Sequence, residues 1–87
     1  MILDILSPEK NYHVDDVESV TLPGTMGSFQ ILKNHAPLIS SLRHGNITFT
    51  VQDHLKSMAV EEGFVEVSQN RITVCIDSVR KKETTDK

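Results

Sequence analysis

The chain has 87 residues, 38% of them apolar and 24% charged, with a formal net charge of −3. That is one domain's worth of sequence, with enough branched aliphatic side chains for a single core, so an acid-rich disordered chain is excluded. The acidic balance argues against a nucleic-acid partner, which calls for a basic stripe, and no apolar run approaches the ~20 residues that span a bilayer.

In chain order, residues 2–7 read as an opening strand. Asp4 stands where a secretory leader carries basic residues, and no small-residue cleavage site follows. Residues 17–22 are a second strand with mixed faces: Val17, Ser19 and Thr21 oppose Glu18, Val20 and Leu22. Pro23-Gly24 closes it. A strand-like run at 29–32 breaks at Asn34-His35-Ala36-Pro37, where Pro37 lacks an N–H and holds Ala36 extended. This corner is stiff, cannot lie within a central strand, and presents Asn34 and His35 between apolar flanks, as a docking edge or as an ordinary sandwich corner.

Residues 47–51 alternate apolar and hydroxyl side chains, as a strand with one wet face should. His44-Gly45-Asn46 opens that hairpin and Gln52-Asp53-His54 closes it. Val65 and Val67 share one face of the next strand, with Glu66 on the other. In residues 71–77, Ile72, Val74 and Ile76 share a face and Cys75 falls opposite. Gln69-Asn70 joins these last two strands through a tight turn whose positive φ Asn tolerates. Turn signals every 8–12 residues, with no helical apolar period, predict an all-β sandwich or barrel with almost no helix. The domain is expected to span 1–79. Residues 80–87, with four basic and two acidic side chains and no apolar one, read as a loose tail.

Little in the chain points to chemistry. His13, His35, His44 and His54 are separated by 22, 9 and 10 residues, which fits no metal-ligand spacing. Cys75, the single thiol, can form no internal disulfide, which suits a reducing compartment, and its aliphatic neighbours favour a packed side chain over a nucleophile. No serine sits in a nucleophile elbow. The stretch Pro23-Gly24-Thr25-Met26-Gly27-Ser28 has two glycines three apart but no following Lys or helix to hold phosphate, so it reads as an exposed β-corner. Asp15-Asp16 with Glu18 is an acidic knot before a strand. Glu61-Glu62 is a second, which reads as a solvated turn or as the mate of a basic partner surface.

An ordered series of anchors carries a resemblance: residues 3–9 (Leu-Asp-Ile-Leu-Ser-Pro-Glu), Val20-Thr21-Leu22-Pro23-Gly24 with Gly27, His35-Ala36-Pro37-Leu38, Gly45 with Ile47, Gly63-Phe64-Val65-Glu66-Val67, Asn70, and Ile72-Thr73-Val74. In this order the sequence resembles the N-terminal β-sandwich domain of the ATP synthase epsilon subunit. The resemblance implies a flattened antiparallel β-sandwich of about ten short strands, docked on the gamma subunit and resting on the membrane c-ring. It also implies a non-catalytic rotor part of the central stalk, without cofactor or metal, peripheral at the cytoplasmic face of the bacterial plasma (inner) membrane. The family's c-ring loop falls on Gly24, Thr25, Met26, Gly27 and Ser28. Ser28 stands where relatives are usually acidic, so an interfacial charge is lost there, and Phe29 or Met26 could offset it by apolar burial. Gamma-facing positions fall on Ser7, His35 and Ala36. The family's two inhibitory C-terminal helices have no counterpart within these 87 residues, which predicts a form without that inhibition or its nucleotide binding. Two other classes compete: a free-standing sandwich binding a nucleotide or other small ligand, and a small enzyme. The first is poorly served by four aromatics (Tyr12, Phe29, Phe49, Phe64), and the second has no matched nucleophile, base and orienting group.

Overall fold

The computed structural model describes residues 1–77; positions 78–79 of the expected domain and the 80–87 tail lie outside the described residues. Nine strands and no helix are present among them: β1 (Ile2–Leu6), β2 (Tyr12–Val14), β3 (Val17–Gly24), β4 (Gly27–Leu32), β5 (Leu38–Leu42), β6 (Gly45–Val51), β7 (His54–Val60), β8 (Gly63–Ser68) and β9 (Arg71–Ile76). They form one curled sheet in the order β2-β1-β9-β8-β5-β3-β6-β7, with β4 on the other side of β3. The sheet folds over at β3. Gly24 meets Leu42 of β5 at one end of that strand. At the other end Val17 N–H donates to the Met1 carbonyl (2.8 Å), and the Met1 nitrogen donates back to the Val17 carbonyl (3.1 Å). The half β2-β1-β9-β8-β5 thus faces the half β4-β3-β6-β7.

The core sits between the two halves, where period-two strands place their branched side chains. Leu3, Ile5, Val17, Val20, Leu22, Ile31, Leu42, Ile47, Phe49, Val60, Val65, Val67, Ile72, Val74 and Ile76 are buried in one cluster, and no polar side chain among the described residues joins them. The all-β expectation and the inner faces of β6, β8 and β9 hold. Two features depart from a simple antiparallel meander. β1 runs parallel to β9, with Ile2 opposite Arg71 and Leu6 opposite Cys75. β3 carries a bulge against β6, Val17 facing Val51 while Ser19 faces the adjacent Thr50. The extra residue, Glu18, lets Val17 and Val20 both turn inward although they lie three apart, which resolves the mixed faces of this strand.

Two hairpins close through two-residue turns with positive φ at both positions: Gln52 (51°) and Asp53 (64°), and Gln69 (52°) and Asn70 (60°). That geometry matches the strands' right-handed twist. His54 therefore begins β7 rather than belonging to the turn. Pro37 lies outside any strand, directly before β5, as its missing N–H requires.

Candidate docking surfaces

The hairpin tip between β3 and β4 is built on two glycines. Gly24 and Gly27 pair across its base, and Gly27 holds φ 126°, a region open to glycine. A Cβ on Gly24 would lie 2.7 Å from the Gly27 carbonyl oxygen and 2.8 Å from a ring carbon of Phe29. The tip is also tied sideways to β5: Thr25 N–H donates to the Ser41 carbonyl (3.1 Å), and the two hydroxyls share a hydrogen bond of 2.8 Å. Met26, 98% exposed, therefore projects from a held base. Ser28 is exposed too, but Phe29 turns inward against the core. Of the two apolar side chains expected to replace a lost charge, only Met26 faces outward.

The tip continues onto the outer face of the neighbouring half-sheet. Register places Ser41, Phe64, Cys75 and Leu6 side by side across β5, β8, β9 and β1. Phe64 is 50% and Leu6 37% exposed. The row was not evident from the sequence, although Phe64 shares the phase of Glu66. Ser7 follows Leu6 at the same end. Its hydroxyl donates to the Lys10 carbonyl (2.5 Å) and accepts from the Lys10 N–H (3.1 Å), so it holds the loop after β1.

His35 and Ala36 lie at the opposite end, just before Leu38 pairs with Val67. The three expected gamma-facing residues are thus separated by the length of β5, about 17 Å for five residues. Asn34, expected to be presented outward, is exposed and is also engaged with Asn70. Its N–H donates to Asn70 Oδ1 (2.6 Å), and Asn70 Nδ2 donates to Asn34 Oδ1 (2.9 Å). His35 Nδ1 lies 2.7 Å from the Ala36 carbonyl, and both residues are exposed.

A charged cluster crosses the outer face of β1, β2 and β9. His13 Nδ1 contacts Asp4 Oδ1 (2.5 Å), its Nε2 contacts Asp15 Oδ1 (3.1 Å), and Arg71 Nη1 donates to Asp4 Oδ2 (2.8 Å). The hydrogen bond to Asp4, then that to Asp15, raise the His13 pKa above its ordinary 6.5. The hydrogen bond from His13, with the His13 and Arg71 charges, lowers that of Asp4 below 3.8 against partial desolvation. The raised imidazole stabilises the fold fully below about pH 6.5 and ceases to do so as pH rises through its folded value. The lowered carboxylate contributes above about pH 3.8 and is lost as pH falls through its own. His13→Ala is therefore expected to lower the urea midpoint near pH 5.5 and to change it less near pH 9. Equal losses at both pH values would refute the charged pairing.

No group of His, Cys, Asp and Glu among the described residues converges as a metal site. Cys75 is half-buried within the apolar row. The hollow beside the tip, between Thr25, Arg43, Glu62, Phe64 and Asp77, is shallow and open rather than an enclosed cavity.

Residues 1–82 match the family described as the ATP synthase delta/epsilon chain β-sandwich domain. The chain is 44% identical over 84 residues to an ATP synthase epsilon chain of Desulfitobacterium hafniense, covering 97% of this chain and 64% of that one. It is 42% identical over 87 residues to the epsilon chain of Symbiobacterium thermophilum, covering 99% and 63%. It thus spans just under two thirds of these relatives. The fold superposes on chains of two solved mitochondrial ATP synthases. One is the central stalk/c-ring of Tetrahymena thermophila (TM-score 0.78, 17% identity, 95% of this chain and 67% of that one). The other is the OSCP/F1/c-ring assembly of Euglena gracilis (0.85, 16%, 99% and 56%).

Proposed function

Because the chain belongs to the ATP synthase delta/epsilon chain β-sandwich family, we propose that it is a central-stalk rotor subunit of an F-type ATP synthase, coupling gamma to the membrane c-ring during proton- or sodium-driven ATP synthesis. In this reading it does no chemistry itself. Its sandwich, residues 1–79 followed by the charged 80–87 segment, works as a rigid spacer held peripherally at the cytoplasmic face of the bacterial plasma membrane. A spacer that transmits torque needs a stiff body and two separate docking surfaces. The observation that carries the proposal is the family match over residues 1–82. The geometry supports it: a single core clamped at both ends of β3, and a projecting tip with its base fixed by Gly24 and by the Thr25–Ser41 bonds.

The c-ring contact is assigned to Met26 and Ser28 at that tip. Gamma is assigned to the row running from Ser7 and Leu6 through Phe64, and to the His35-Ala36 corner. Met26→Lys is expected to leave the isolated fold intact, since the side chain is 98% exposed, while weakening c-ring association about tenfold, equivalent to about 1.4 kcal/mol. Co-purification of the variant chain with the assembled c-ring measures this. Undiminished recovery would remove the tip from the interface.

A further inference from the structure

We infer that Asn70 is the positioning residue of the 34–37 corner, fixing the pose in which His35 and Ala36 meet their partner. This rests on the gamma-docking assignment above and adds to it a residue that does not itself touch the partner.

Asn70 lies at the second position of the β8–β9 turn, and two separate segments converge on it through three hydrogen bonds. Its backbone carbonyl accepts from Ile2 N–H (3.0 Å), its Oδ1 from Asn34 N–H (2.6 Å), and its Nδ2 donates to Asn34 Oδ1 (2.9 Å). The turn thereby ties the start of β1 to a corner 36 residues away in sequence. The corner has one other described backbone hydrogen bond, from His35 N–H to the Leu32 carbonyl (3.2 Å), and its side chains are exposed from Lys33 to Pro37. It buries almost no apolar surface to fix its place. Besides the Leu38–Val67 pairing that follows the corner, the reciprocal amide pair joins it to the β8–β9 end of the sheet, and the stiff Ala36-Pro37 unit carries that placement onward to His35 and Ala36.

Both asparagines have left-handed backbones, φ 65° at Asn34 and 60° at Asn70, so glycine fits either position without strain. Asn70→Gly removes both side-chain bonds yet keeps the turn, since a glycine suits a two-residue hairpin turn of this kind. Asn34→Gly keeps its own N–H donor and loses only the Oδ1 acceptor.

The test uses the full chain with purified gamma subunit, reading amide hydrogen exchange and gamma affinity together. Asn70→Gly is expected to speed exchange at Asn34 and His35 roughly tenfold, while core amides such as those of Val65 and Val74 keep their protection. It is also expected to weaken gamma binding several-fold. Asn34→Gly should give a smaller change of the same sign in both readings. Ala36→Lys in the same assay checks the docking assignment directly. Loss of binding in Ala36→Lys, with none in Asn70→Gly, would keep the assignment and overturn this inference. Unchanged binding in both would overturn the assignment and the inference with it. Unchanged exchange at Asn34 in Asn70→Gly would overturn the inference whatever gamma does.

Discussion

Phe49→Ala is expected to remove about 3–5 kcal/mol of folding stability, the range for truncating a buried phenylalanine. Phe49 lies on the inner face of β6, 6% exposed, directly across from Val20 of β3. It is a ring in the core cluster, and the surrounding branched side chains have little freedom to collapse into its space. A domain this small holds about 5 kcal/mol in total, so the variant would sit near its unfolding threshold. At roughly 1–1.5 kcal/mol per molar, its urea midpoint should fall by about 2–5 M. Phe64→Ala provides the contrast. That ring stands on the outer face of β8, half exposed, and its removal should cost under about 1 kcal/mol. An unchanged midpoint for Phe49→Ala, or equal losses for the two, would overturn the assignment of faces.

Gly63→Ala is the second large effect, and its cause is space rather than lost burial. Gly63 begins β8 and pairs with Leu42 on one side and Ile76 on the other. A Cβ there would lie 2.1 Å from the Cys75 carbonyl oxygen and 2.8 Å from the Ile76 Cα. Both are backbone atoms and cannot rotate away, so β8 and β9 must separate. That strains the neighbouring Asp77 N–H to Glu62 carbonyl bond of 2.9 Å as well. Overpacking of this kind costs about 3 kcal/mol, toward the upper end of its usual range. At Gly27, by contrast, an added Cβ meets nothing within 4 Å, and alanine there pays only for its φ of 126°. Gly63→Ala should melt well below wild type, and Gly27→Ala, strained in its backbone but free of a clash, should fall by less, followed by circular dichroism. Matching melting temperatures for Gly63→Ala and wild type would contradict the close β8–β9 approach.

Where one face of a strand is uniformly buried, the alternation was readable: β6, β8 and β9 have their inner residues where the period places them. β3 was ambiguous because the bulge at Glu18 breaks the period within the strand, and a bulge has no marker of its own in a run such as Val17-Glu18-Ser19. β7 escaped notice because it is an edge strand exposed over most of its length. Lys56 sits on its inner side and Leu55, 72% exposed, on its outer side, so polarity does not alternate. β2 is only three residues long. The parallel pairing of β1 with β9, and the Asp4–Arg71 bond across 67 positions, depend on how the ends of the fold meet rather than on any local pattern. The same holds for the docking surfaces. Gly24 and Gly27 marked the tip directly, whereas the separation of Ser7 from His35 and the Asn34–Asn70 pairing appear only once the strands are in register.

On the function proposed above, this chain is a coupling element gripping gamma, with no ligand chemistry of its own. The most direct measurement is binding of the chain to purified gamma subunit, with ATP titrated by calorimetry into the same preparation. Stoichiometric gamma binding with no heat from ATP is the result predicted. Heat from ATP without gamma binding would contradict it and identify a ligand-binding sandwich instead.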